Sequence, residues 1–94
     1  MIFKEYNKED KNILVLCDKN LIGTVLEEGD KIIDLTSDYY KGKDVNEMKI
    51  DFKKYNLINA IGENVIKLLI EKKIITKDHI KMISNVPYTL VIFD

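Results

Sequence analysis

The chain has 94 residues, of which 46% are hydrophobic and 33% are charged, and its formal net charge is −1. This balance predicts a single folded domain over residues 1–94 and excludes a disordered chain. The single cysteine, Cys17, excludes an internal disulfide, as is usual for cytosolic proteins. No apolar run reaches the roughly 20 residues of a membrane-spanning helix, and the N-terminus lacks a signal-peptide pattern. We therefore expect a cytoplasmic protein that contacts no membrane.

The first third of the chain is typical of β-structure. Ile2–Tyr6 predicts a first strand, and the continuously apolar Asn12–Cys17 predicts a strand covered on both faces. Leu21–Leu26 and Lys31–Leu35 flank a short turn that contains Gly29, which predicts a hairpin.

The middle of the chain has helical spacing. Asp44, followed three residues later by Glu47, resembles a capping box and predicts a helix over Asp44–Tyr55. The alternation of apolar residues there would also suit a strand. Leu57–Lys73 predicts a second helix, preceded by an N-cap at Asn56. One helical face of this segment would hold Ile58, Ile61, Val65, Leu68 and Leu69.

The last part of the chain predicts a return to the sheet. Thr76–His79 suggests one helical turn and Ile80–Ser84 a strand. Asn85–Pro87 then predicts a turn, and Thr89–Phe93 a final strand. Strands, then helices, then a strand predict an α+β fold: a two-layer sandwich in which two helices pack on one face of a mostly antiparallel sheet.

The order of several motifs resembles the archaeal family known as domain of unknown function 424. The motifs are Cys17-Asp18-x-x-Leu21-x-Gly23, Tyr39-Tyr40-x-Gly42, Asn59-x-x-Gly62-x-x-x-Ile66, Ile74-Ile75 and Val86-Pro87. The resemblance covers residues 12 to 93 and implies a small intracellular archaeal α+β protein without an assigned reaction. Members of the family often have a histidine after the Val-Pro pair, where this chain has Tyr88.

Five residues are candidates for a shared binding cleft. Cys17 and Asp18 end the most apolar strand, where a thiol and a carboxylate could act together. Tyr39 and Tyr40 could stack on a base, and Asn59 would lie near a helix N-terminus that attracts anions. Each also has a structural interpretation, as a core cysteine, a turn aspartate, loop-anchoring tyrosines and an amide that bonds locally.

The distribution of lysines and the supply of metal ligands limit which anion and metal sites the chain can form. All 15 basic residues are lysine, and residues 41–94 hold ten of them against seven carboxylates. Lys41, Lys43 and Lys53 are candidate contacts for an anion or RNA, although interleaved acids also suit a solvated surface. One histidine and one cysteine cannot supply a four-ligand zinc site of the usual type, so we expect no metal and no cofactor.

We expect a non-enzymatic binding module for RNA or a ribonucleoprotein, with an association with translation. Two alternatives stay open. One is a small enzyme with a site around Cys17 and Asp18, which lacks a recognisable nucleophile or nucleotide motif. The other is a protein–protein adaptor that uses a sheet edge or a self-association surface. The sequence identifies no catalytic residue and does not fix the oligomeric state.

Overall fold

The structure, a computed structural model, describes residues 1–46 and 49–93. Within these residues the chain forms eight strands and one α-helix. The helix, α1, spans Glu63–Glu71. The strands β1 to β8 span Ile2–Lys8, Lys11–Cys17, Val25–Glu28, Lys31–Asp34, Lys43–Asp44, Leu57–Ile61, Lys81–Ile83 and Val86–Ile92. No helix in the described part of the chain is long and apolar enough to cross a membrane.

Six strands form one mixed sheet in the order β5-β1-β2-β6-β8-β7. The central pair, β2 and β6, is parallel, and the other neighbouring pairs are antiparallel. Because parallel neighbours need a crossover, residues 18–56 must travel from one end of the sheet to the other. This crossover contains the separate hairpin of β3 and β4.

Tight turns fix the register of the two outer hairpins. Glu9 and Asp10 join β1 to β2 with φ of 52° and 64°, and Ser84 and Asn85 join β7 to β8 with φ of 49° and 65°. Two consecutive positive φ angles are the signature of the type I′ turn, whose twist matches that of paired strands. A two-residue turn also fixes which backbone groups face the partner strand.

The sheet is covered on both faces, but unequally. On what we call the helix face, α1 packs with Phe52 and Tyr55 over the buried Leu14, Ile58 and Val91. On the opposite face, which we call the hairpin face, Leu26 and Ile33 of the hairpin cover one end of the sheet. That smaller cluster is centred on Cys17, Leu35 and Ile61.

The predicted architecture of two helices on one face of a sheet is wrong. Leu57–Ile61, predicted as the start of the second helix, is the central strand β6, and α1 begins only at Glu63. Gly62 separates the two with φ of 117°, a conformation that breaks any continuous helix. The apolar spacing of this segment suits a helix, but a short, mostly apolar run interrupted only by Asn59 also suits a strand buried on both faces.

The first predicted helix, over Asp44–Tyr55, is also wrong. Lys43–Asp44 is the edge strand β5, and a 3₁₀ turn occupies Phe52–Lys54. The Asp51 side chain caps that turn by accepting a hydrogen bond from the Lys53 amide at 3.1 Å. The proposed capping partner Glu47 lies outside the described residues.

Pro87 lies within strand β8 rather than in the predicted turn. It is opposite Gly62 at the end of β6, and the Gly62 amide donates to the Pro87 carbonyl at 2.9 Å. The Gly62 carbonyl instead accepts the first bond of α1, from the Ile66 amide at 3.0 Å. The sheet therefore does not need the amide hydrogen that proline lacks.

Candidate functional site

Cys17 is part of the core at the end of β2. Its side chain is fully buried, and the thiol contacts the Asp18 carbonyl oxygen at 3.3 Å. Burial, reinforced by the negative charge of Asp18, raises the pKa of the Cys17 thiol to about 12. A nucleophilic cysteine needs the opposite, an accessible thiol with a lowered pKa. The Cys17 thiol is therefore unsuited to the enzymatic role considered for it.

Asp18 caps α1 from outside the helix. Its carboxylate accepts hydrogen bonds from the backbone amides of Asn64 and Val65, each at 3.0 Å, and from the Asn64 side chain at 3.2 Å. These amides are the unpaired donors of a helix N-terminus, where an external anion would otherwise bind. The anion site expected near this helix is thus filled by the protein's own carboxylate.

Gly62 makes this arrangement possible. A Cβ atom at position 62 would lie 2.3 Å from the Asp18 Cγ atom, and the positive φ there disfavours any side chain. The pairing of Asp18 with Gly62 is therefore a steric requirement of the strand-to-helix turn.

Tyr40 and Asn59 come together on the hairpin face, as the cleft hypothesis required, but in a packed environment. Tyr40 packs against the cluster around Cys17. Burial raises the pKa of Tyr40, and a polar interaction with the Asn59 side chain opposes that shift. Cys17, Tyr40 and Asn59 therefore share one side of the sheet as fold determinants.

Tyr39 is the more accessible of the two predicted tyrosines, with 37% of its surface exposed. Its ring stacks on Tyr6 at 5.0 Å between centroids and meets Tyr40 edge to face at 5.0 Å. The Tyr6 hydroxyl donates to the Tyr39 carbonyl at 2.9 Å, which fixes the loop on β1. Lys4 also binds this loop, through the Asp38 carbonyl at 2.7 Å.

The three predicted anion-binding lysines do not share one surface. Lys41 forms an ion pair with Asp38 at 3.1 Å. Lys43 is exposed on the edge strand β5, on the helix-face side. Lys53 lines a separate depression beside Phe52. Lys41 and Lys43 line one depression at the edge of β1, and only Lys53 lies apart from them.

The arrangement of donors gives no indication of a metal centre. In the described residues, no group of three or more histidine, cysteine, aspartate or glutamate side chains lies close enough to hold an ion.

Comparison with known proteins identifies the family. The sequence profile described as protein of unknown function (DUF424) matches residues 6–93. The chain belongs to the DUF424 family. A crystal structure of an uncharacterized conserved protein from Methanopyrus kandleri has a TM-score of 0.81 to this chain, with 20% identity over 99% of this chain and 92% of that one. At this identity the likeness shows a shared fold. Among curated proteins, none matches this chain.

The fold explains several of the motifs that indicated DUF424. Asp18 and Gly62 form the capping contact at α1. Gly42 allows β5 to approach β1, since a Cβ atom there would lie 2.0 Å from the Phe3 carbonyl oxygen. Tyr88, at the position of the expected histidine, is partly buried and packs against the core cluster of the hairpin face. These motif residues have structural roles.

A surface that the sequence did not indicate lies on the hairpin face of this DUF424 protein. The register places Tyr6, Ile13, Leu57 and Ile92 in one row across four strands. In the next row, Leu90 lies two residues from Ile92 on β8. Leu90 and Ile92 are 59% and 68% exposed, in the part of β8 that extends beyond its pairing with β7. We call this surface, comprising these five residues and Tyr39, the open half.

A polar depression lies on the helix face near the edge of β1. It has a volume of about 290 Å³ and is lined partly by Glu5, Asn7 and Lys54. The Tyr55 hydroxyl donates to the Glu5 carboxylate, and Lys54 pairs with it at 2.9 Å. These contacts lower the pKa of Glu5, with the Tyr55 hydrogen bond as the main cause. The Glu5 charge is therefore already compensated.

Proposed function

We propose that this chain is a non-enzymatic binding module that docks a partner protein on the open half of its sheet. The observation that carries the proposal is the exposure of Leu90 and Ile92, with 59% and 68% of their surfaces accessible on the hairpin face of β8. Single exposed apolar residues are ordinary, but Ile92 belongs to a row of apolar residues that crosses the sheet, and Leu90 adjoins that row. A contiguous apolar sheet face is a surface that a partner would cover.

The aliphatic character of this surface favours a protein over other partners. Burying Leu90 and Ile92 against a partner would contribute about 2 kcal/mol each from removal of apolar surface from water. Leu57 and Ile13, half-buried between them and Tyr6, would extend the contact. Aliphatic side chains offer shape complementarity to a protein, whereas nucleic-acid bases stack on aromatic rings.

The charges around the open half favour an acidic partner. The strand residues on this part of the hairpin face include Lys4, Lys8 and Lys11. No strand residue on this part of the face is acidic. Lys8 and Lys11 lie directly opposite each other, a repulsive pair that an approaching carboxylate would relieve. Glu9 and Asp10 follow in the turn, but neither forms an ion pair with these lysines in the described structure.

Single-stranded RNA is the second candidate partner. The partly exposed stack of Tyr39 on Tyr6, with Lys4 5.3 Å from the Tyr6 ring centre, is the observation that favours it. RNA would engage this aromatic corner and the nearby lysines and leave Leu90 and Ile92 uncovered. The two candidates therefore predict different contact positions on the same face.

Photo-crosslinking with a matched pair of positions tests the proposal. Ile92 and Ile32 are both isoleucines on strands and are 68% and 65% exposed, but Ile32 is on the separate hairpin, outside the open half. A photoreactive amino acid is placed at one or the other position, and the protein is irradiated in lysate of the organism that encodes it. The crosslinked protein is then identified, purified and titrated against the Ile92→Lys and Ile32→Lys variants.

We expect a partner protein to crosslink at position 92 and not at 32. Binding of the purified partner should be lost with Ile92→Lys and retained with Ile32→Lys. Equal crosslinking at both positions, or equal binding by both variants, would contradict the proposal. Adducts that ribonuclease removes, together with binding that weakens steeply with salt, would favour RNA instead.

A further inference from the structure

Within residues 1–46 and 49–93, the outer edge of β1 has backbone groups without partners. In the type I′ hairpin, Lys8 and Lys11 flank the turn as a hydrogen-bonded pair, so the backbone groups of Lys8, Tyr6 and Lys4 face β2. The groups of Asn7 and Glu5, alternating with them, must face away from β2. On this outer edge the Met1 carbonyl accepts from the Val45 amide at 2.9 Å, in agreement with this alternation.

β5 occupies only the first part of this edge. It pairs with Ile2 and Phe3. The chain before it leaves the edge and passes over the hairpin face, where the 3₁₀ turn at Asp38–Tyr40 is held by the side chains of Lys4 and Tyr6. In the described residues, no backbone bond outside the strand ladders involves the outward groups of Glu5 and Asn7. The free edge from Lys4 to Lys8 is about 13 Å long at the usual rise of a strand. An edge of this kind is a template for an added strand.

The side chains along the edge define the sequence that would fit. On the hairpin face, three side chains of an added strand would lie opposite Lys4, Tyr6 and Lys8 in turn. Acidic, apolar and acidic residues would pair favourably with these three. On the helix face, Asn7 and the compensated Glu5 would suit small polar neighbours.

We propose that the free edge of β1 accepts an extended acidic segment of the partner protein as an additional strand. The segment has acidic residues opposite Lys4 and Lys8 and an apolar residue opposite Tyr6. This inference rests on the proposed function in taking a protein as the partner, and it places the partner's strand beside the open half. Main-chain hydrogen bonds would provide affinity, and the alternating side chains would provide specificity.

A blocked pentapeptide with the sequence Asp-Thr-Val-Thr-Asp serves as the probe. Its control, Lys-Thr-Val-Thr-Lys, has the same β-propensity and the opposite charge. Titration into isotopically labelled protein is followed by NMR, with amide hydrogen exchange measured for Glu5 and Asn7. We expect these two outward amides to shift and become protected, and the basic peptide to bind about tenfold more weakly.

Two substitutions at position 7 isolate the backbone contribution. Asn7→Pro removes an outward amide without removing a bond between β1 and β2, and edge positions tolerate proline. Asn7→Ala keeps the amide and, like Asn7→Pro, loses the side-chain hydrogen bond to Asn12. We expect binding of the acidic peptide to be lost with Asn7→Pro and retained with Asn7→Ala. Circular dichroism confirms that both variants are folded.

The outcomes separate the edge from the open half. Peptide binding that is unaffected by Asn7→Pro, perturbations that spare the Glu5 and Asn7 amides, or no binding at millimolar peptide would each overturn the strand addition. Ile92→Lys should leave the pentapeptide affinity unchanged, because Ile92 is on β8, three strands away from the edge. A protein partner that needs Ile92 but tolerates Asn7→Pro would support the proposed function and refute the added strand.

Discussion

Replacing Asp18 by alanine should lower the free energy of unfolding by far more than the loss of an ordinary helix-capping side chain. The carboxylate holds two backbone amides of α1 at 3.0 Å, and Val65, which donates one of them, is only 1% exposed. Loss of a helix cap costs about 1 kcal/mol. A buried amide left without an acceptor adds about 2 kcal/mol. The expected loss is therefore about 3 kcal/mol in the free energy of unfolding.

Equilibrium unfolding in guanidinium chloride, followed by far-ultraviolet circular dichroism, measures this loss. A 3 kcal/mol change should also lower the melting temperature of a domain of this size by about 15 °C. Asp51→Ala is the matched control, because Asp51 also caps a turn but is exposed and accepts its hydrogen bond from the Lys53 amide. It should cost about 0.5 kcal/mol, at the low end for capping residues. Equal losses in the two variants would refute the reasoning.

Anion rescue provides a second test of the same contact. In Asp18→Ala, the helix N-terminus should regain the anion affinity that the carboxylate normally satisfies. Acetate or sulfate should then stabilise the variant more than the wild type at equal ionic strength, with chloride as the control. Identical salt responses would mean that the carboxylate does not occupy an anion site.

Three further substitutions or reactions probe the structure. Gly62→Ala should destabilise the fold by at least about 2 kcal/mol, because of the positive φ and the contact with Asp18, and chemical unfolding would show it. Cys17 should react with a thiol reagent at pH 8 only as fast as the protein opens, since burial raises its pKa to about 12; rapid labelling of the native state would contradict this. Tyr55→Phe should raise the pKa of Glu5 towards its ordinary value, as an NMR titration would show. The stabilisation from Glu5 is present at neutral pH and is lost as pH falls through its lowered pKa, so the variant should lose less stability in acid.

The strands at the start of the chain were predictable because each is a local apolar run between polar turns. Ile2–Tyr6 and Asn12–Cys17 agree with β1 and β2 to within two residues. The segment from Leu57 onwards was not predictable, because strand β6 and helix α1 follow each other with only Gly62 between them. Only the backbone angle at Gly62 separates them, and a glycine in an apolar run is equally consistent with helix packing.

The candidate cleft was partly predictable for a similar reason. Cys17 and Asn59 do lie on one face, and Tyr40 reaches them, but their burial could not be read from residue type. The Asp18 contact with α1 joins residues 46 and 47 positions apart, a distance that only the parallel pairing of β2 and β6 spans. The exposure of Leu90 and Ile92 was hidden because an apolar final strand is normally expected to be covered.

The open half follows from the lengths of the strands. The hairpin strands β3 and β4 have four residues each and reach about 13 Å, whereas β8 has seven and reaches about 23 Å. A hairpin of that length, packed on the end of the sheet near Cys17, does not reach Leu90 and Ile92. The crossover returns its remaining residues to the outer edge of β1 and to the helix face. The chain therefore leaves both the end of its hairpin face and the outer edge of β1 open.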